Sequence, residues 1–198
     1  MPAICTDTSG EYIYMALEDS STGHQIVVRV PRAGLSAGLF STAYAPGAGS
    51  ACNVTPAGDN AILLYGNFGT DITAVLHTVS TGAEADISPA SLSSKIVNAA
   101  AVNPSNPVEM MITVGTDQDV LYTDDDGATW TALEDALGFD ATALAVLGTS
   151  LYEAYRAFVA GHNGANIDIL YTPNEFASTA NVEGALSTAN IVALEVSP

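Results

Sequence analysis

Five aspartates, Asp117, Asp119, Asp124, Asp125 and Asp126, fall within ten residues of one another. Calcium takes about six to eight hard oxygen ligands, and carboxylates on neighbouring loops can supply them. Asp117, Asp119, Asp124 and Asp126 are therefore the candidate calcium ligands. Their spacing departs from the D-x-D-x-D-G order of an EF-hand loop. The competing expectation is that Asp125 closes its own turn and the others stay solvated. No other cofactor is expected.

Other chemistries find less to work with. A glycosidase needs two opposed carboxylates at a set separation, and Asp7, Asp59 and Asp140 are the candidates beside apolar runs. Short aspartate side chains also cap turns, and that is the role expected of these three. His24, His77 and His162 are far apart in the chain, and no Ser or Cys sits in a nucleophile-elbow context, so no triad is expected. His162 lies in Gly161-His162-Asn163-Gly164, which reads as a turn. Cys5 and Cys52 are too few for a disulfide framework or a four-cysteine zinc site and read as two buried thiols. No catalytic residue is assigned.

What must position these groups is a chain of 198 residues, long enough for a substantial core. Only 13% of it is charged, and small and β-branched residues dominate, which suits many short strands better than long solvated helices. Arg29, Arg32, Lys95 and Arg156 face 22 acidic residues, for a formal charge of −18. The excess is uneven: 14 of the acidic residues and one of the basic ones lie beyond residue 99. Such a surface repels DNA, RNA and anionic bilayers, so the expected partners are proteins, further copies of the chain, or glycans. No apolar run approaches the ~20 residues that span a bilayer. The start, Met1-Pro2-Ala3-Ile4-Cys5, lacks the basic and long apolar regions of a signal peptide.

An order of strands recurs every ~47–49 residues, the kind of period that marks repeat architectures. Apolar runs at Ala3–Cys5, Ala51–Val54, Val97–Val102 and Ala141–Leu147 each precede a stronger run, at Tyr12–Met15, Ala61–Tyr65, Met110–Val114 and Tyr155–Val159. Third strands are expected at Gln25–Val30, Ala74–Thr78, Val120–Thr123 and Ile167–Thr172. The last three share a theme in which His77 stands where Tyr122 and Tyr171 stand. Fourth strands are expected at Leu39–Tyr44, Ala85–Ser88, Thr129–Leu133 and Asn181–Ala185. Short runs at this spacing, bounded by Gly, Pro and Asn, predict an all-β propeller of about four antiparallel four-stranded blades. Residues 1–198 are read as one domain, with blades at about 1–46, 47–91, 92–137 and 138–187. Residues 190–198 repeat the opening strand of a unit. They would close the ring in the first blade, pair with a neighbouring subunit, or begin a further blade of a larger propeller.

Within the third unit Thr123, Asp125, Gly127, Thr129 and Trp130 make a [ST]-x-D-x-G-x-T-W pattern. An Asp that accepts hydrogen bonds from following amides, a Gly with positive φ and a Trp to bury beneath them read as a tight hairpin turn. The pattern resembles the Asp-box, or BNR repeat, of sialidases, sortilin-type receptors, xyloglucan hydrolases and photosystem assembly factors. In those families it is a folding element of a propeller blade. Thr78-Val79-Ser80-Thr81-Gly82 and Thr172-Pro173-Asn174-Glu175-Phe176 are degenerate counterparts. The resemblance also raises a sialidase, which grips a carboxylate with three arginines, but Arg29 and Arg32 lie in one unit without the accompanying motif. The expected function is a non-catalytic structural or binding propeller, a subunit of an extracellular, surface-layer or virion assembly acting through protein–protein contacts. The alternative is a carbohydrate-active propeller, either a glycan-binding module or part of a glycoside hydrolase.

Overall fold

The computed structural model describes residues 4–6, 10–19, 24–33, 41–44, 51–67, 72–89, 96–103, 106–114, 119–134, 137–147, 156–163, 166–172 and 180–181. These form four antiparallel four-stranded sheets, each a meander in which consecutive strands pair. The first holds β1 (Ile4–Thr6), β2 (Tyr12–Asp19), β3 (His24–Pro31) and β4 (Ser41–Tyr44); the second holds β5 (Ala51–Pro56), β6 (Ala61–Asn67), β7 (Ala74–Thr78) and β8 (Glu84–Asp86). The third is β9 (Val97–Val102), β10 (Met110–Val114), β11 (Asp119–Thr123) and β12 (Thr131–Glu134); the fourth is β13 (Asp140–Leu147), β14 (Arg156–Asn163), β15 (Asn166–Thr172) and β16 (Ala180–Asn181). No helix among the described residues is long and apolar enough to cross a membrane. The chain groups into two compact units, Met1–Lys95 and Ile96–Pro198, each with two sheets.

In the first unit the period of two decides which side chains meet. Ile62 on β6 is paired with His77 on β7, and Leu64 with Val75, so these four share a face. On the first sheet Tyr14 pairs with Arg29 and Ala16 with Val27, which likewise share a face. Tyr14, Ala16, Val27, Val54, Ile62, Leu64, Val75 and Val79 join in one core between the sheets, with Cys5, Tyr12 and Ile72 partly buried against it. Fully burying each large apolar side chain contributes about 1.5–3 kcal/mol. At the far edge of the second sheet β8 is short, exposed and acidic (Glu84-Ala85-Asp86), a composition that discourages pairing with another edge.

In the second unit Met111, Val120, Leu144, Ala157 and Val159 pack with Ala99, Phe139 and Ala141 into an equivalent core. Asn98 Nδ2 donates to the Ala141 carbonyl at 3.0 Å and ties the opening strands of the two sheets together. Along β10 both faces are buried, from Met110 through Val114, which explains why this run is almost continuously apolar.

Several expected strand ends move. The fourth strand of the third sheet starts at Thr131, two residues later than expected, because Thr129 closes the preceding turn. Ser88 leaves the ladder that was expected to include it: its hydroxyl accepts the amide of Thr73 at 2.8 Å and donates to the Ala74 carbonyl at 3.2 Å. The largest correction concerns Gly161-His162-Asn163, expected as a turn and found as the end of β14, paired with Asp168, Ile167 and Asn166. The last described pair of this hairpin is Asn163 with Asn166. The fifth-unit strand expected at 190–198 lies outside the described residues.

Gly161 also sits opposite an irregularity in β13, where the register shifts between Ala141 and Ala143. A Cβ at Gly161 would collide with the Asp140 carbonyl oxygen and lie 2.8 Å from Ala141 Cα, both backbone atoms that cannot rotate away. Gly161→Ala should therefore destabilise the protein by about 3 kcal/mol or more, at the severe end of overpacking. Ala160→Gly, next to it, should cost about 1 kcal/mol. Urea denaturation of the two variants measures the difference.

Candidate functional site

The acidic stretch folds as a turn that uses its own polar atoms. Asp126 and Gly127 both take left-handed backbone conformations, with φ of 57° and 81°; glycine reaches this region without strain and aspartate tolerates it. The reversal brings three side chains together. Thr123, 1% exposed, accepts the amide hydrogens of Gly127 at 3.0 Å and Asp125 at 3.3 Å on its hydroxyl oxygen. The same hydroxyl donates to Asp125 Oδ1 at 2.7 Å. Asp125 Oδ1 also accepts from the Thr129 amide at 2.8 Å, and Oδ2 from the Thr129 hydroxyl at 2.7 Å. Both carboxylate oxygens are thus engaged. These bonds, the Thr129 amide first and the Thr129 and Thr123 hydroxyls after it, hold the Asp125 carboxyl below the usual carboxylate range.

A second staple lies beside this turn. Glu109 is buried, and Asn103 Nδ2 and Asn106 Nδ2 donate to its two oxygens at 2.7 and 2.5 Å. The backbone of the same loop closes through Asn103 N to Glu109 O at 3.0 Å and Glu109 N to Asn106 O at 2.9 Å. The two loops meet where the Asp126 amide donates to the Val108 carbonyl at 3.2 Å. In the second sheet the Val79 amide reaches the Asn60 carbonyl at 2.8 Å, and Asn60 Oδ1 accepts the Ser80 amide at 2.9 Å. The degenerate turn at Thr78–Gly82 has no aspartate, and Asn60 supplies the side-chain acceptor from the adjoining loop. The spacing Asn103, Asn106, Glu109 was the one available signal for the Glu109 staple, which the sequence reading passed over.

The remaining candidates are dispersed. Asp124 and Asp126 are exposed. Asp119 starts β11, opposite Val114, and its side chain, like the whole of Asp117, lies outside the described residues. Among the described residues no three His, Cys, Asp or Glu side chains converge as a metal site. Asp59 is exposed in the loop before β6, Asp140 is exposed at the start of β13, and Asp7 lies outside the described residues. His162 is half-buried across from Asp140; of His24 only the backbone, at the head of β3, is described. Cys5 is half-buried against the first core, and Cys52 lies on β5 with its side chain outside the description. Trp130 is half-buried at the end of the turn.

Two basic residues shape the first unit instead. Arg29 lies with its guanidinium carbon 4.9 Å from the Tyr12 ring centre and donates from Nη1 to the Val79 carbonyl at 3.0 Å, bridging the two sheets. Such a cation–π contact contributes about 0.5–1 kcal/mol when exposed and more when desolvated. Arg32 is exposed at the rim of an open groove of about 620 Å³, lined by Gly10, Glu11, Tyr12, Pro31, Arg32 and Ala33. Its lining carries one aromatic ring, Tyr12, and one charge of each sign, Glu11 and Arg32.

Replacing Thr123 with Val keeps the shape but leaves the buried Gly127 amide without its acceptor, which should cost about 1–3 kcal/mol. Asp125→Ala should also lower the thermal midpoint, and Asp125→Asn should lower it less. Because the folded pKa of Asp125 is depressed, its stabilisation is full above the unfolded value near 3.9 and is lost as pH falls through the folded value. Thermal unfolding between pH 2 and pH 6 should therefore show a shallower acid limb for Asp125→Asn than for the parent.

No protein-family model and no curated protein matches the chain. Solved structures do. A GH74 xyloglucanase from Xanthomonas campestris aligns with a TM-score of 0.64 at 14% identity, over 95% of this chain and 31% of that one. YCF48 from Cyanidioschyzon merolae aligns at 0.56 and 14%, over 89% and 51%. Prolyl oligopeptidase B from Galerina marginata aligns at 0.61 and 11%, over 94% and 26%. The chain thus spans between about a quarter and a half of the length of these proteins. At such identities the likeness speaks for fold alone: this is an all-β chain of the β-propeller class, with four antiparallel sheets.

Proposed function

We propose that the chain is a non-catalytic binding or scaffolding propeller element, acting through protein–protein contacts in an extracellular, surface-layer or virion assembly. One observation carries this reading: the well-fixed polar groups act on their own loops and sheets. Both oxygens of Asp125 serve the turn between β11 and β12, Glu109 serves the loop before β10, and Arg29 bridges two sheets. A catalytic group must instead be within reach of a substrate. On this reading the Thr123–Trp130 turn is an Asp-box, and the acidic surface keeps polyanions away and leaves protein partners as the natural ligands.

A carbohydrate-directed role is the second reading. It is favoured by the groove lined by Tyr12 and Arg32, since an aromatic face and a planar donor fork suit sugar rings and hydroxyls. A fold by itself does not convey an activity.

Light scattering on the purified chain separates the two. Assembly predicts a mass that is a multiple of 20.2 kDa, no hydrolysis of xyloglucan, and no change of mass or thermal midpoint on adding calcium. A monomer that binds xyloglucan oligosaccharides, and loses that binding in Tyr12→Ala, would favour the carbohydrate reading. A rise in thermal midpoint with calcium would support Asp117, Asp119, Asp124 and Asp126 as ligands.

A further inference from the structure

Among the described residues His77 is a buried group, and the one titratable imidazole in this core, that neither the turns nor the proposed function uses. It is 2% exposed in the core between the first two sheets, and neither ring nitrogen makes a hydrogen bond among the described residues. Buried polar atoms without partners are uncommon and costly. The residues facing it come from several strands. Tyr14 on β2 makes an edge-on ring contact at 6.0 Å between centroids. Arg29 on β3 lies within electrostatic reach. Glu84, across from it on β8, places Oε1 at 3.8 Å from Nδ1. Its partner on β6 is the apolar Ile62, while Tyr12 and Cys5 lie partly buried on the same core.

We propose that His77 makes the packing of the first two sheets acid-sensitive: a proton taken up by the imidazole sets a cation in this core facing Arg29, and the two sheets loosen in mildly acidic solution. The placement of Arg29 gives the effect its direction. Its bond to the Val79 carbonyl links the sheets two residues from His77, so the new charge acts against the group that holds them. Glu84 is a weak counterweight, being partly solvated and beyond hydrogen-bonding distance. Burial first, and Arg29 second, push the imidazole below its ordinary value, while burial pushes the Glu84 carboxyl up. Both shifts favour the uncharged forms.

The sign follows from linkage. With the folded pKa below the unfolded value near 6.5, the unfolded chain binds the extra proton first, and stability falls as pH drops from about 6.5 toward the folded value. One such group changes the unfolding constant by up to about tenfold per pH unit.

Urea denaturation at pH 7.5, 6.5 and 5.5 is the test, on the parent, His77→Phe and Glu84→Gln. The parent should lose stability across this range. His77→Phe should lose at least a fewfold less per pH unit, and Glu84→Gln, stripped of the counterweight, should lose more. An NMR titration of His77 in the folded parent stands apart from whether His77→Phe folds, and should show a midpoint below that of a solvated imidazole. An unchanged slope in His77→Phe, or an ordinary or raised midpoint for His77, overturns the proposal.

Discussion

Short strands place the burden of this fold on its reversals. A strand of two to eight residues makes few ladder bonds, so each loop between strands must satisfy its own amide hydrogens or lose the strand that follows. Thr123, Asp125 and Thr129 show how this is met with three side chains and no buried charge pair. Glu109 does the same for the loop before β10, and Asn60 for the corresponding region of the second sheet. Where loops from successive hairpins adjoin, one backbone bond joins them, Asp126 to Val108 in one sheet and Val79 to Asn60 in another.

Much of this was legible in the residues. Runs such as Ile62-Leu63-Leu64 and Met110-Met111-Ile112 announce strands buried on both faces, and their spacing announces a repeat. The Thr123–Trp130 pattern announces its turn, because each residue type has a local partner a few positions away. What was hidden depends on groups distant in sequence. Gly161-His162-Asn163 has turn-like composition, yet the irregularity in β13, some twenty residues earlier, lets it continue as strand. Asn60 caps a turn twenty residues on. The surroundings of His77 are set by Arg29 and Tyr14, which arrive from another sheet.

The scarcity of basic residues gives each one weight. In a chain with 22 acidic side chains, an arginine could be expected to seek a carboxylate. Arg29 takes a tyrosine face and a backbone carbonyl. Glu109, conversely, is buried among amides. In these contacts the partner of a charge is a dipole, which carries a smaller desolvation penalty than an ion pair.

The Asp126-Gly127 step has a chemical side as well. An aspartate followed by glycine is the dipeptide in which the backbone nitrogen most readily attacks the side-chain carboxyl, forming a cyclic imide that reopens largely as isoaspartate. Here that nitrogen points its hydrogen at the Thr123 hydroxyl, at 3.0 Å in a buried position, and both residues are fixed in left-handed geometry. Ring closure requires releasing that bond. The turn that organises the hairpin therefore also slows the ageing of its own covalent backbone, and damage at this step would collect in chains that have lost their fold.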